Sequence, residues 1–308
     1  MNLAQRIASY LQLSPDFVEK LALSASHRYK EYRIPKKGGG SRTIHHPAKQ
    51  LKVIQRCLLR QVIEALPVHD CASAYRKGKN IAVHARTHVQ SSFLLRMDIK
   101  DFFPSITADD IDIYITQNPR FFPSWNSEDI KLFCQLVCRN DQLTIGAPTS
   151  PELSNALCYG LDILLAGLAL ENDAVYTRYA DDLFFSTRTP NLLKNIEVRV
   201  AEIVEKSKCP ANLRINRAKT RHSSKRRRRQ VTGIVLGSDG RVYFGRRLKR
   251  WIRSLIHNID NLEPRERAHL AGMLAFCKDI EPDFINALIL KYGTDKVDQA
   301  RKSLTDHE

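Results

Sequence analysis

Apolar residues recur at helical spacing in several stretches of the chain and cluster as short β-like runs in others. Leu3, Ile7 and Leu11, then Phe17 and Leu21, predict short helices in the first 30 residues, with Ser14-Pro15 as an N-cap and first-turn pair. Leu51, Ile54, Leu58, Val62 and Leu66 form a stripe that predicts a helix over residues 51–66, stopped by Pro67, with Lys52, Arg56 and Arg60 facing outward. Residues 121–140 read as a loop and a helix carrying Phe133, Leu136 and Val137. Residues 151–170 read as one apolar helix opened by Pro151, and Leu193, Ile196, Val200, Ile203 and Val204 as an amphipathic one. From Gly245 onward only helices are expected. Leu248, Trp251, Ile252, Leu255 and Ile256 make a stripe ringed by Arg246, Arg247, Lys249, Arg250 and Arg253, Pro264 opens a helix through Phe276, and Pro282 opens another that Gly293 ends.

The strand-like runs lie between these helices. Tyr29 to Ile34 and Ser41 to Ile44 flank Gly38-Gly39-Gly40, which predicts a hairpin with a flexible, basic tip. Phe93-Leu94-Leu95-Arg96-Met97 leads into Asp98, and Pro104 ends regular pairing soon after it. Val175-Tyr176-Thr177 and Leu183-Phe184-Phe185 flank Tyr179-Ala180-Asp181-Asp182 and predict a second hairpin with two carboxylates at its tip. Mixed elements in this order give an α+β chain.

Bulk composition narrows the partner more than the chemistry. The 308 residues suffice for one large core or two modest ones, and 49 Lys and Arg against 33 Asp and Glu leave a formal charge of +16. Such a surplus points to a polyanion, and RNA or DNA would serve equally. The seven cysteines are odd in number and scattered, which argues against a disulfide framework and for a reducing, cytoplasmic setting. Cys134 with Cys138 and His84 with His88 are spaced to share helix faces and could together bind zinc, whereas an apolar neighbourhood favours Cys134 as a buried thiol. No long apolar segment or signal pattern marks export or a membrane span.

Adjacent aspartates at a hairpin tip repel one another, so Asp181 and Asp182 imply a cation that takes oxygen ligands. Asp98, at the end of another apolar strand, supplies a third carboxylate. Strand-end Asp98 together with Tyr179-Ala180-Asp181-Asp182 resembles the palm of reverse transcriptases. The resemblance implies a right-hand polymerase with an antiparallel palm sheet: residues 1–97 as N-terminal helices and fingers, 98–244 as palm with a fingers insertion at about 110–145, and 245–308 as a helical thumb. It further implies two Mg2+ ions held by Asp98, Asp181, Asp182 and the backbone carbonyl of Ile99. Phe103 would lie beneath the sugar and exclude a ribonucleotide's 2′-hydroxyl, which implies dNTP substrates. Lys37 and Arg42 would contact the triphosphate, Gly146 would let the backbone approach the nucleotide, and Lys219 would meet the phosphate chain and protonate the leaving pyrophosphate. Ile145 stands where the family normally has glutamine.

Two further segments resemble bacterial retron reverse transcriptases. His84-Ala85-Arg86-Thr87-His88 matches the retron Asn-Ala-x-x-His element at the alanine and at His88, with His84 in place of asparagine. Val231-Thr232-Gly233 matches the second retron hallmark and follows the basic run Lys225 to Arg229, so that Arg228 and Arg229 with that tripeptide would contact a stem-loop of a cognate non-coding RNA. The loop Ser73 to Asn80, basic with the single aromatic Tyr75, suits a nucleic-acid backbone or is an ordinary polar loop. Kinship with retrons implies a branched msDNA product primed from a guanosine 2′-hydroxyl, an accessory effector protein in anti-phage defence, and trimming by a host RNase H. Two other readings stand beside it: a reverse transcriptase of a group II intron or diversity-generating element, and a non-catalytic RNA-binding module on a palm fold.

Overall fold

The computed structural model describes residues 1–36 and 39–302, so Lys37 lies outside the described residues. The chain forms two compact units, one from Met1–Gly78, Leu95–Phe185 and Asn191–Arg221, the other from Lys79–Leu94, Ser186–Pro190 and the chain from His222.

The first unit begins with α1 (Leu3–Leu11) and α2 (Pro15–Leu23), each capped by the side chain before it: Asn2 accepts from the Gln5 amide and Ser14 from the Phe17 amide. β1 (Tyr29–Pro35) and β2 (Ser41–Pro47) pair antiparallel from Tyr29↔Pro47 at the root to Pro35↔Ser41 near the tip. α3 (Lys49–Gln61) follows, and α4 (Ile81–His88) belongs to the second unit. The first unit continues with β3 (Phe93–Asp98), α5 (Ala108–Gln117), α6 (Ser127–Val137), α7 (Ser150–Leu157), α8 (Tyr159–Glu171), β4 (Val175–Tyr179), β5 (Asp182–Thr187), α9 (Leu192–Glu205) and β6 (Arg221–Ser224). Some of these strands run past the unit boundaries. The sheet order is β4-β5-β3-β6, which sets the strand ending in Asp98 beside the strand beginning with Asp182. α8 packs on β4 and α9, and Leu165, Leu168, Leu183, Phe184 and Phe185 are buried in this layer. α1 and α2 pack on α6, where Asp129 accepts the Leu3 amide at 2.6 Å.

Two expected helices differ from their sequence pattern. Residues 151–170 form two helices, α7 and α8, bent by 55° about Cys158. Asn155 of α7 and Asp162 of α8, one on each side of the bend, both bond the Arg178 guanidinium. The stripe over residues 51–66 is helical only through Gln61, and a 3-10 turn at Ile63–Ala65 keeps Ile63 and Leu66 buried up to Pro67. No single helix among the described residues is long and apolar enough to cross a membrane.

In the second unit α4 lies on a three-stranded antiparallel sheet, β7 (Arg229–Val231), β8 (Ile234–Leu236) and β9 (Val242–Tyr243). Thr232 and Gly233 join β7 to β8 with φ of 45° and 91°, the double positive φ of a type I′ turn. α10 (Arg246–His257), α11 (Pro264–Ile280), α12 (Pro282–Tyr292) and α13 (Thr294–Lys302) pack around Leu270, Leu274, Cys277 and Leu288. α11 runs one turn past Phe276, since Cys277 and Ile280 continue its buried stripe.

Gly146, at φ +117°, marks the tightest approach in the first unit: a Cβ there would stand 2.6 Å from the His45 carbonyl of β2, which is fixed by a 2.8 Å bond from the His45 amide to the Ile145 carbonyl. Gly146→Ala is therefore expected to destabilise the protein by about 1–3 kcal/mol, combining a forced contact with an unfavourable φ. Urea unfolding of the variant beside the parent measures this.

Candidate active site

The three aspartates reach one place through the order of two neighbouring strands. Asp98 ends β3, and Asp181 and Asp182 sit at the turn between β4 and β5. The two strands are joined by Ala180-Asp181, of which only Ala180 has positive φ, 55°. The Ile99 amide donates to the Asp181 carbonyl at 2.8 Å, fastening the end of β3 to that turn. On the other side of β3, the Asn216 amide donates to the Asp98 carbonyl at 2.7 Å and the Lys100 amide to the Arg214 carbonyl at 2.8 Å. These bonds bring the short helical turn Arg217–Lys219 over the acid.

Charge crowding governs the site. Burial pushes the Asp181 and Asp182 carboxyls above the usual carboxylate range, and the negative charge of Asp98 pushes the same way. Asp182 is pushed up to about 6 despite its Arg96 partner. Two cations oppose this crowding. Lys219 Nζ donates to both Asp98 oxygens at 2.9 and 2.8 Å, and Arg96 Nε and Nη2 donate to the two oxygens of Asp182 at 2.9 and 2.8 Å. A two-pronged guanidinium–carboxylate pair fixes orientation as well as charge.

A second, fully buried pair supports the hairpin from below. Arg178 in β4 and Asp162 in α8 are both 0% exposed, with Nη2 to Oδ2 at 2.6 Å and Nε to Oδ1 at 2.9 Å. Tyr176 donates its hydroxyl to the same carboxylate, Asn155 accepts from Arg178 Nη1 at 3.0 Å, and Nη1 also reaches the Ala180 carbonyl of the turn at 3.4 Å. The Arg178 backbone bonds Cys71 and Ser73, and Asn155 donates to the Ala74 carbonyl at 2.9 Å, so the network also anchors the loop that ends in Tyr75. Tyr75 has φ 60°, its ring centroid lies 6.4 Å from that of Phe103, and burial with the nearby charge of Asp181 pushes its phenol up to about 12.

The structure treats the remaining expected residues differently. Arg42 on β2 is exposed, and its charge is felt by both Tyr75 and Asp181. Phe103 is half-buried beside Phe102 and Tyr75. Gly146 makes its close approach to His45 of the β1–β2 hairpin. Arg228, Thr232 and Gly233 lie at or near the surface. Three of the expected RNA contacts are buried in the second unit. His88 is 0% exposed, bonds the Ser186 hydroxyl at 2.7 Å, and is kept neutral by burial, which lowers its pKa to about 3. Arg229 is 1% exposed, with its guanidinium turned inward onto the carbonyls of Ser91, Val89 and Gly237, so it is not part of the solvated run that precedes it. Val231 is wholly buried in the same small sheet. All three side chains lie in the interior of the second unit.

Cys134 and Cys138 lie at the end of α6 in the first unit, and His84 and His88 on α4 in the second. Burial pushes the Cys134 thiol up to about 12, and the Cys138 thiol is also raised, which keeps them protonated and poor ligands. Among the described residues no three His, Cys, Asp or Glu side chains are gathered so as to hold a metal ion. At the aspartates, Lys219 and Arg96 supply the positive charge. The donor set still suits a hard divalent cation: it is all carboxylate oxygen, and two of the acids have pKa values raised by burial and like charge that a cation would relieve.

Arg96, Tyr75 and the Arg178–Asp162 pair were not assigned to the site from sequence. Alternation along β3 puts Arg96 on the same face as Asp98, two residues on, which was a usable signal. Lone opposite charges inside two apolar runs, Asp162 and Arg178, were another.

Residues 34–236 match the family model described as reverse transcriptase (RNA-dependent DNA polymerase). Among curated proteins, the retron Ec83 reverse transcriptase of Escherichia coli is 33% identical over 94% of this chain and 94% of its own length. The retron Ec86 reverse transcriptase of Escherichia coli is 30% identical over 98% of this chain and 94% of its own, and the retron Mx162 reverse transcriptase of Myxococcus xanthus 32% over 92% and 64%. Among solved structures, telomerase from Candida albicans, in complex with a TWJ fragment of telomeric RNA, aligns with a TM-score of 0.50 at 11% identity, over 89% of this chain and 61% of that one. That likeness concerns the fold alone.

Breaking the buried pair should loosen the turn that carries the acids. Arg178→Met is expected to cost about 3–5 kcal/mol, because it leaves Asp162 charged and unpaired, and Arg178→Met/Asp162→Leu should recover part of that loss. Equilibrium denaturation of both variants measures the difference.

Proposed function

The chain belongs to the reverse transcriptases of bacterial retrons, and on that premise we propose how its acid cluster carries out RNA-directed DNA synthesis. The observation that carries the reading is the meeting of Asp98 with Asp181 and Asp182 in one electrostatic field, at the ends of adjacent strands.

Asp98, Asp181 and Asp182, with the carbonyl of Ile99, would hold two Mg2+ ions. When bound, these ions would lower the pKa of the primer hydroxyl and offset charge on the departing pyrophosphate. For the acids to serve, Lys219 must leave Asp98 and Arg96 must leave at least one oxygen of Asp182. Both can do so, since Lys219 and Arg96 side chains are 59% and 46% exposed. The primer oxygen would attack the α-phosphorus of the dNTP as its proton passes to solvent, the bond from that phosphorus to the pyrophosphate oxygen would break, and Lys219, released from Asp98, would give a proton to that oxygen. Arg42 of β2 would hold the triphosphate, and Lys37 keeps the same expected role. Phe103, backed by Tyr75, would take the sugar edge and leave no room for a 2′-hydroxyl. The Gly146 backbone, pinned to β2, would then set the distance between hairpin and nucleotide.

Kinship extends the proposal. The enzyme would copy part of a cognate non-coding RNA into branched msDNA, starting from a guanosine 2′-hydroxyl, in the cytoplasm. A host RNase H would trim the product, and an effector protein would join it in anti-phage defence. Residues 1–97, 98–244 and 245–308 would act as fingers, palm and thumb. In RNA recognition, Arg228, Thr232 and Gly233 keep the role expected of their segment, while His88, Val231 and Arg229 shape the surface that carries them. The retron relatives and the charged acid cluster favour this over a group II intron or diversity-generating enzyme and over a non-catalytic module.

Primer extension on poly(rA)·oligo(dT) with Mg2+ tests the chemistry. Asp98→Asn or Asp181→Asn should remove dTTP incorporation, whereas Lys219→Gln should lower kcat by about 10²–10⁴-fold and leave KM for dTTP within a few-fold. Retained incorporation in Asp181→Asn would contradict the assignment. On the same system with a mixed template, Phe103→Val should raise incorporation of ribonucleotides relative to deoxynucleotides at least tenfold; an unchanged ratio would remove Phe103 from the sugar contact. Nucleic acid copurified from the native host should need both RNase and DNase for complete degradation.

A further inference from the structure

We propose that a basic groove at the root of the β1–β2 hairpin is a second RNA site, binding the sugar–phosphate backbone of a strand outside the catalytic centre. The groove has a volume of about 660 Å³ and lies between the ends of the hairpin and the first two turns of α3. Five cations line it, Arg28, Lys30, Lys49, Lys52 and Arg56, and no aspartate or glutamate does. Lys30 faces His46 directly across the strands.

Three features point to an anionic occupant. Arg28 bonds only the neutral Ser24 and Gln50, and among the described residues no ion pair engages Lys30, Lys49, Lys52 or Arg56. α3 has Ala48 at its N-cap with no side-chain cap and no acid in its first turn. Its partial positive end is thus overlaid with like charge, an arrangement that costs stability until an anion docks. Finally, Lys49, Lys52 and Arg56 follow one helix face at i, i+3 and i+7, spanning roughly 10 Å. A single phosphate or a free nucleotide would meet one end of such a row, whereas a chain of phosphates meets all of it.

The groove is not the nucleotide site. Seven residues of β1 separate its root from its tip, about 20 Å at strand rise, and Arg42 is paired with Ile34 near that tip. RNA as the occupant rests on the proposed function, but the groove is separate from the acid cluster, so a failed salt test leaves the catalytic reading standing.

The test uses the full chain, a fluorescein-labelled RNA hairpin of arbitrary sequence, and titrations from 50 to 200 mM KCl. Losing three phosphate contacts in Lys49→Gln/Lys52→Gln/Arg56→Gln should reduce the slope of log K against log salt by about 2 to 3, so that quadrupling the salt weakens the parent roughly 16- to 64-fold more than the variant. Incorporation of dTTP on poly(rA)·oligo(dT) should stay within twofold. If the triple variant loses its helical signal or melts early, Lys30→Gln/Arg56→Gln is used, with an expected slope change of about 1 to 2. An unchanged slope overturns the proposal. So does a parallel loss of dTTP incorporation, which would make the groove part of the primer–template path. Loss of heparin binding with the RNA slope intact would reduce it to a generic polyanion patch, or one for an acidic protein, and would also overturn it.

Discussion

Three carboxylates drawn out of water repel one another, and two unit charges 4 Å apart near a protein surface interact by about 4 kcal/mol. The first unit is built to hold Asp98, Asp181 and Asp182 together against that force. Asp98 and Asp182 are each met by a cation, Lys219 from the short helical turn Arg217–Lys219 and Arg96 from β3, and burial with residual repulsion still raises the Asp181 and Asp182 carboxyls. Beneath them the Arg178–Asp162 pair is satisfied on all sides by Tyr176, Asn155 and the Ala180 carbonyl. A buried pair of this kind adds little net stability over an apolar core but allows few alternative geometries. Its contribution is to fix where the turn stands. The bend between α7 and α8, the anchoring of the Tyr75 loop and the placing of the acids all meet at one guanidinium.

The two cations at the acids give the site a resting state of its own. Lys219 and Arg96 are the more exposed partners of their pairs, while Asp98 and Asp182 are nearly buried. Mobile side chains thus neutralise fixed ones. Each of these acids is thus paired through a side chain that reaches solvent and not through the packed core.

Much of this was legible in the sequence where local pattern and chemistry coincide. The hairpin with paired acids, the strand ending in Asp98, the helix over 193–204 and the Pro- and Gly-bounded helix at Pro282–Tyr292 follow from periodicity and punctuation. The sequence pattern failed where a tertiary contact overrode it. Residues 151–170 are mostly apolar, yet they bend at Cys158, and Arg178 bonds Asn155 and Asp162 on its two sides. Arg229 belongs by sequence to a run of five cations, yet the β7 register turns its side chain into the second unit, where carbonyl groups of Val89, Ser91 and Gly237 await a donor. His88 and Val231 are of the same kind. The two segments that resemble the retron pattern, far apart in the chain, prove to be a helix and the sheet it packs on. His88, Arg229 and Val231 are buried there, whereas Gly233 and Arg228 are exposed and Thr232 is half-buried.

The most direct test of the account is the position of the ions themselves. Crystals of the protein with a terminated primer–template, the next dNTP and Mn2+ in place of Mg2+ would show the metals by anomalous scattering. The account predicts two peaks bound to the carboxylates of Asp98, Asp181 and Asp182, with Lys219 withdrawn from Asp98. Peaks elsewhere, or Lys219 still seated on Asp98 in a complete complex, would contradict it.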